Sequence, residues 1–322
     1  MPLFRPSRRA LLSMAAAAPT LALPVRAQAQ ALGAPSASNP AHMQFTLGEM
    51  TLTVVSDGHL ELPANSLGVN ADPEEVRAFL ESYFLSTDTN YAHANHLVIQ
   101  TGEATVLVDT GSGSRFLPTA GRLAENLGKA GIEPSAITHV LITHAHPDHI
   151  WGIRDDFDEA LFPDAAYFAG QTEHDYWMQD DLVNQVPPEM QQFVVGAVNA
   201  FQVEGVDWTL LANDQEVVPG VRVTDTPGHT PGHLSVIVES NGQQLIALGD
   251  SMNHAHMNFA HPDWVNNFDM DAETTQATRK RLLDMAAADR MAVLGYHFPF
   301  PGVGHVRTRG EAYEFVPALW QW

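Results

Sequence analysis

From residue 43 onward, short apolar or alternating runs take turns with segments of helical spacing. "MQFTLGEMTLTVVSDG" (43–58) alternates and predicts a β-hairpin with its turn near Gly48-Glu49. "ADPEEVRAFLESYF" (71–84) has helical spacing, opened by Asp72 as cap and Pro73 as first position. "NHLVIQTGEATVLVDTG" (95–111) predicts two strands around Gly102-Glu103, and "RFLPTAGRLAENLGKAGI" (115–132) an amphipathic helix stopped by glycine. A buried strand over 137–144, a short one over 165–170 and helices over 171–182 and 189–201, parted by Pro187-Pro188, follow. The second half repeats the pattern. Strands are expected at 221–226, 233–240 and 244–250, then a helix over 271–289 with acids early and bases late, then a strand over 291–297. Two rounds of strands, each followed by helix, predict two sheets packed face to face with helices outside.

Composition narrows the picture. Of 322 residues 45% are apolar and 17% charged, enough for a sizeable core. There is no cysteine, so disulfides are excluded and any zinc site must be built from His and Asp. Residues 1–31 differ from the rest: an arginine-bearing start, the apolar "LLSMAAAAPTLALPV", then small residues in "RAQAQA". That is the layout of an export signal, with cleavage expected after Ala27, Ala29 or Ala31. Arg8 and Arg9 in "SRRALL" resemble a twin-arginine signal, an ordinary Sec signal being the alternative. A flexible leader is expected over 32–42, then one domain over 43–322. The expected location is periplasmic or secreted. Residues 1–31 hold four arginines and no acid, so the remainder, four charges more negative than the whole chain's −22, sits near −26. Such a charge excludes nucleic acid and anionic membranes as partners.

The chemistry concentrates in "THAHPDHIWG" (143–152), directly behind the apolar "HVLI". His144 and His146, two apart, share a side of an extended segment. Pro147 then opens a helical turn on which Asp148 and His149 diverge from the first pair. One segment can thus face two metal ions. His229 in "TPGHTPGH", Asp250 in "ALGDS" and His297 in "LGYHFPFPG" also follow strands and could gather at the same edge. Imidazole and carboxylate suit Zn²⁺, Mn²⁺, Co²⁺ or Fe²⁺. His233 reads as support or core rather than ligand.

The H-x-H-x-D-H motif, with "DTG" at 109–111, "PGHTPGH", "GD" at 249–250 and the late His297, resembles the metallo-β-lactamase-fold hydrolases over about residues 43–322. The resemblance implies an αββα sandwich of two mixed sheets and two divalent ions per chain, zinc above all. It implies that His144, His146 and His229 hold one ion, that Asp148, His149 and His297 hold the other, and that Asp250 bridges them. Asp148 and Asp250 then serve catalysis, and Asp109 is support.

Departures choose among branches. Common β-lactamases use a cysteine ligand, flavodiiron proteins a glutamate at the place of His146, and RNA-processing members a basic surface. Hydroxyacylglutathione hydrolases carry basic residues near the C-terminus, where this chain has "FVPALWQW". The remaining branch holds lactonases, arylesterases and organophosphate hydrolases such as methyl parathion hydrolase. It implies hydrolysis of small neutral esters, lactones or phosphotriesters by water activated between two metals. A thioesterase, a β-lactamase-like enzyme or a non-catalytic metal-binding protein are the alternatives, and a homodimer is left open. Trp151, Trp177, Phe193 and His254 are the candidate substrate-binding residues, with Trp177 and Phe193 the preferred lining pair. For the export reading, changing Arg8 and Arg9 to Lys should hold the precursor in the cytoplasm in a fractionation assay, and normal export would favour Sec.

Overall fold

The computed structural model describes residues 41–320. Its first sheet uses the first half of the chain: β1 (His42–Leu47), β2 (Met50–Pro63), β3 (Thr89–Gln100), β4 (Thr105–Val108), β5 (His139–Ile142), β6 (Ala166–Gly170) and β7 (Trp208–Leu211), side by side in that order. β1 to β4 pair antiparallel, whereas β4 to β7 run parallel. Its helices are α1 (Pro73–Ser82), α2 (Leu123–Lys129), α3 (Pro147–Ile150), α4 (Gln171–Trp177), α5 (Leu182–Gln185) and α6 (Pro188–Phe201).

The second sheet contains β8 (Glu216–Val218), β9 (Val221–Asp225), β10 (Leu234–Ser240), β11 (Gln243–Ala247), β12 (Ala292–Leu294), β13 (Val303–Arg309) and β14 (Ala312–Pro317), again in chain order across the sheet. Only β11 and β12 pair parallel; α7 (Met257–Ala260) and α8 (Ala272–Ala288) lie between them in sequence.

Strand alternation builds the layers. In β2, Leu52 and Val54 join Val221, Val223 and Val236 of the other sheet in one buried cluster. Val55 faces the other way, among helix residues such as Leu127, Val194 and Ala197. In β4, Leu107 parts from Val106 and Val108 in the same manner. A third cluster seats Leu282 and Leu283 of α8 on Ile237, Ile246 and Val293. The result is the expected αββα sandwich, two mixed sheets with helices outside.

Local expectations fared unevenly. The hairpin turn at Gly48-Glu49 and the strand pair around Gly102-Glu103 are present. The helix expected over 115–132 forms only at 123–129. Gly121 there has φ +80, and a Cβ on it would lie 2.0 Å from the Gly113 carbonyl, so the chain turns tightly before α2. The strand expected over 291–297 stops at Leu294, freeing Tyr296 and His297 for the site. β7, β8 and the terminal hairpin of β13 and β14 were not foreseen. The signal expected over 1–31 lies outside the described residues, as does all but the end of the leader. That end is already tied down, since the Ala41 carbonyl accepts from Ser56 N at 2.8 Å and His42 opens β1.

Asp57 fixes the loop below the site. Its buried carboxylate accepts from Ser112 N (2.9 Å), Gly121 N (3.1 Å) and Leu123 N (2.7 Å). Replacing it with Ala strands three backbone donors, so Asp57→Ala should destabilise by about 3 kcal/mol in urea unfolding. An unchanged midpoint would mean that water replaces the carboxylate at little cost.

Candidate metal centre

β4 and β5 run parallel and deliver Asp109 and the histidine segment to the same edge. Asp109 sits just past β4 with φ 61, a left-handed conformation rare for a non-glycine residue. That bend lets its carboxylate reach across. Oδ1 accepts from Thr143 N at 2.7 Å, and Oδ2 accepts from Thr143 Oγ1 and meets His149 Nδ1, both at 2.8 Å. Pro147 stands at the first position of α3, with Asp148 and His149 in its single turn.

The distant residues arrive at the same place. The ring nitrogens of His144, His146 and His229 lie within 4.8 Å of one another. The same holds for the ligand atoms of Asp148, His149 and His297, and for those of His144, His149 and Asp250. Asp250 lies between the groups: Oδ1 is 3.3 Å from His149 Nε2, while Oδ2 is 3.4 Å from His229 Nε2 and 3.0 Å from His297 Nε2. All seven side chains are buried.

Five inward atoms have no hydrogen-bond partner among the described residues: His144 Nε2, His146 Nε2, His149 Nε2, Asp148 Oδ2 and Asp250 Oδ1. Orphaned polar atoms at this burial are costly, and converging ones fit a cation. The outward nitrogens, in contrast, are held. His149 Nδ1 meets Asp109, His229 Nδ1 meets Asp269 Oδ1 at 3.0 Å, His297 Nδ1 meets the His93 carbonyl at 2.7 Å and His144 Nδ1 meets Thr143 Oγ1 at 3.2 Å. This is how histidines are oriented toward metal. His146 Nδ1 instead lies 2.9 Å from His229 Nε2.

Electrostatics divide the cluster. Burial, then the neighbouring rings, hold His144 and His146 well below the usual imidazole range, so both stay neutral and able to ligate. Burial would also lower His149, but the carboxylates of Asp148, Asp250 and Asp109 outweigh it and push it well up. Burial raises the Asp250 carboxyl, yet His297 and His149 hold it well below the usual carboxylate range.

Several supports gave no sequence signal of their role. Glu173 of α4 is fully buried: Oε1 accepts from Ala145 N (2.9 Å) and Trp177 Nε1 (2.7 Å), Oε2 from Thr230 Oγ1 (2.7 Å) and Gly232 N (3.0 Å). One carboxylate therefore ties the "HAHPDH" loop to the "PGHTPGH" loop. Asp269 bonds His229 and is itself gripped by buried Arg279 at 2.8 Å. Tyr296 donates to the Asp148 carbonyl at 2.5 Å, and its ring lies against that of His149. His233, read from sequence as support, accepts from Asp250 N at 2.9 Å.

A cavity of about 540 Å³ opens on Asp148, Asp250, His146, His229 and His297. Phe193 lines it, together with Phe116 and Phe268, which were not foreseen. The other three pocket candidates are elsewhere. Trp177 is fully buried, its indole N–H spent on Glu173 and its ring packed behind His146. Trp151 packs edge-on against Phe116 and so close to Gly196 that a Cβ there would lie 2.2 Å from the indole. His254 lines a neighbouring cavity of about 520 Å³, with Nδ1 accepting from His256 N and Met257 N.

Comparison with known proteins agrees with this geometry. The family model described as the metallo-beta-lactamase superfamily matches residues 92–297. An N-acyl homoserine lactonase of Bacillus cereus is 25% identical over 221 residues, 62% of this chain and 79% of that one. Metallo-beta-lactamase domain-containing protein 1 of Xenopus laevis is 29% identical over 192 residues, 58% of this chain and 67% of that one. Among solved structures, AidC, a dizinc quorum-quenching lactonase in complex with a product, matches at TM-score 0.78 and 26% identity, covering 87% of this chain and 98% of its own. The hydrolase AbOPH matches at TM-score 0.80 and 24% identity, covering 88% and 99%.

The Glu173 bridge makes a specific prediction. Glu173→Gln keeps the shape but turns one acceptor atom into a donor facing other donors, so the two histidine loops should lose register. Metal affinity should fall on the order of ten- to hundredfold in a competition titration with a chelator. Unaltered affinity would show that the loops hold themselves.

Proposed function

The chain belongs to the metallo-beta-lactamase superfamily, and from that premise we propose that it is a two-metal lactonase. We extend the reading to aryl esters and neutral phosphotriesters as further substrates. The observation that carries it is the cavity itself: leucine and phenylalanine walls open directly onto the histidine–carboxylate cluster. Such a pocket favours a small neutral substrate with apolar arms. The lactonase relatives support the same reading, and AidC's description as dizinc supports zinc for both ions.

His144, His146 and His229 would hold one ion, Asp148, His149 and His297 the other, with Asp250 shared. Bound there, two divalent ions would supply an activated water and a Lewis acid for the scissile carbonyl or phosphoryl oxygen. The chain's own work is positioning. Asp109 and Asp269 fix the ring faces of His149 and His229. Phe116, Phe193 and Phe268 shield the reacting group from bulk water and seat its apolar part. No serine or cysteine nucleophile is needed in this scheme. We also propose export as the setting, resting on the arginine-led N-terminus alone.

Assays on lactones, aryl esters and phosphotriesters with Zn²⁺, Mn²⁺ and Co²⁺ test the reading. Lactone turnover should be lost on chelation and in His146→Ala. A preference for charged thioesters over every neutral ester would sink it. The two aromatic residues once paired should now separate. Phe193→Ala should lower kcat/KM for aryl substrates roughly tenfold at unchanged metal content. Trp177→Ala should instead destabilise the fold by about 3–5 kcal/mol, read by denaturation.

A further inference from the structure

We propose that the cavity behind His297 is a second ligand site, separate from the reaction cavity, that binds a small neutral molecule with an apolar body and a carbonyl-type acceptor. His254 Nε2 is the donor that would hold this acceptor. The assignment does not depend on which ester the metal centre hydrolyses.

This cavity of about 520 Å³ shares Leu67, Asn90 and His297 with the reaction cavity and otherwise has walls of its own. Of the seven proposed ligands only His297 lines it. Leu80, Leu85 and Pro299 help to make its surface mostly apolar, and no lysine, arginine, aspartate or glutamate lines it. Leu85 and Tyr91 also reach solvent, so the cavity opens beside them.

His254, only 8% exposed, supplies the fixed polar point. Asn258, itself fully buried, accepts through Oδ1 from Asn253 N (2.9 Å) and His254 N (2.8 Å). In return the His254 ring caps the start of α7, where Nδ1 accepts from His256 N at 3.2 Å and Met257 N at 3.0 Å. A backbone N–H can only donate, so Nδ1 carries no hydrogen and the neutral ring carries it on Nε2. Burial, with His256 adding to it, pushes this imidazole down to about 3, so the ring is neutral at ordinary pH. Nε2 has no partner among the described residues, and the ring lines the cavity. Burial also lowers His256, against the pull of Glu314. Neither histidine then offers a charge to an anion, and no carboxylate lines the wall to receive a cation. A neutral acceptor on an apolar body is the ligand class that remains. Because His297 lines both cavities, an occupant would touch the metal centre from its outer side.

The test uses zinc-loaded protein and two unreactive probes, acetophenone and ethylbenzene, which share size and aromatic body while only the first carries a carbonyl. Dissociation constants are read by ligand-observed NMR titration, with zinc content and Tm as controls. Wild type should bind acetophenone roughly tenfold more tightly than ethylbenzene. His254→Asn keeps an acceptor near the α7 N–H groups and withdraws the donor, so it should erase that preference. Leu85→Trp fills the cavity from its rim with His254 intact and should weaken both probes. Phe193→Ala, in the other cavity, should leave the preference as it is. Equal affinity of wild type for the two probes overturns the assignment, as does absence of binding or a preference that survives in His254→Asn. A preference lost in Phe193→Ala and kept in Leu85→Trp would put the probe in the reaction cavity and overturn it as well. Should His254→Asn fail to fold, the wild-type comparison and Leu85→Trp still decide. Turnover does not enter the readout, so these outcomes stand apart from the fate of the lactonase reading.

Discussion

Five imidazoles and two carboxylates are buried together here, and five of their inward atoms have no hydrogen-bond partner among the described residues. No ordinary core tolerates that, because each unpaired buried polar group costs on the order of 1–3 kcal/mol. Two shared cations would resolve the conflict at once, because they would satisfy the orphaned nitrogens and carboxylate oxygens and neutralise Asp148 and Asp250. The outer nitrogens are already committed to Asp109, Asp269, Thr143 and the His93 carbonyl, so the cluster is oriented before any ion binds. The sandwich can be understood as the frame that this cluster requires.

That frame works by bringing loops from both sheets to one edge. Asp109 joins the ends of β4 and β5 within the first sheet. Glu173 joins the first sheet's histidine loop to the loop before β10 of the second. Burial pushes the Glu173 carboxyl up, while four donors oppose that shift. Burial likewise raises Asp269, but Arg279 and His229 hold it below the usual carboxylate range. The same network that steadies His229 continues through Asn266 to the pocket wall. Ligand geometry and pocket geometry are therefore mechanically joined.

Much of this was legible in the sequence because its causes are local. Period-two runs gave most strands, and the spacing of His144, His146, Asp148 and His149 around Pro147 implied two diverging pairs. What escaped depends on distant partners. Nothing around Glu173 says that it reaches Ala145 and Gly232, and nothing in "NNFDMDAE" marks Asp269 as the partner of His229. The helix expected over 115–132 was shortened by Asp57, more than fifty residues away, whose carboxylate captures Gly121 N and Leu123 N. Trp177 was misjudged for a related reason. Its helix does lie beside the site, but Glu173 one turn earlier draws the indole N–H inward. Phe116, at the start of the stretch expected to be helical, and Phe268, in the loop before α8, supply the wall instead.

On this reading the seven side chains form one centre for two ions, with Asp250 common to both. Titrating metal-free protein with Zn²⁺ and counting bound metal by elemental analysis after gel filtration tests it most directly. Two ions per chain are expected, with Asp250→Ala losing at least one of them. Saturation at a single ion per chain, or an Asp250→Ala variant that still holds two with wild-type affinity, would contradict it.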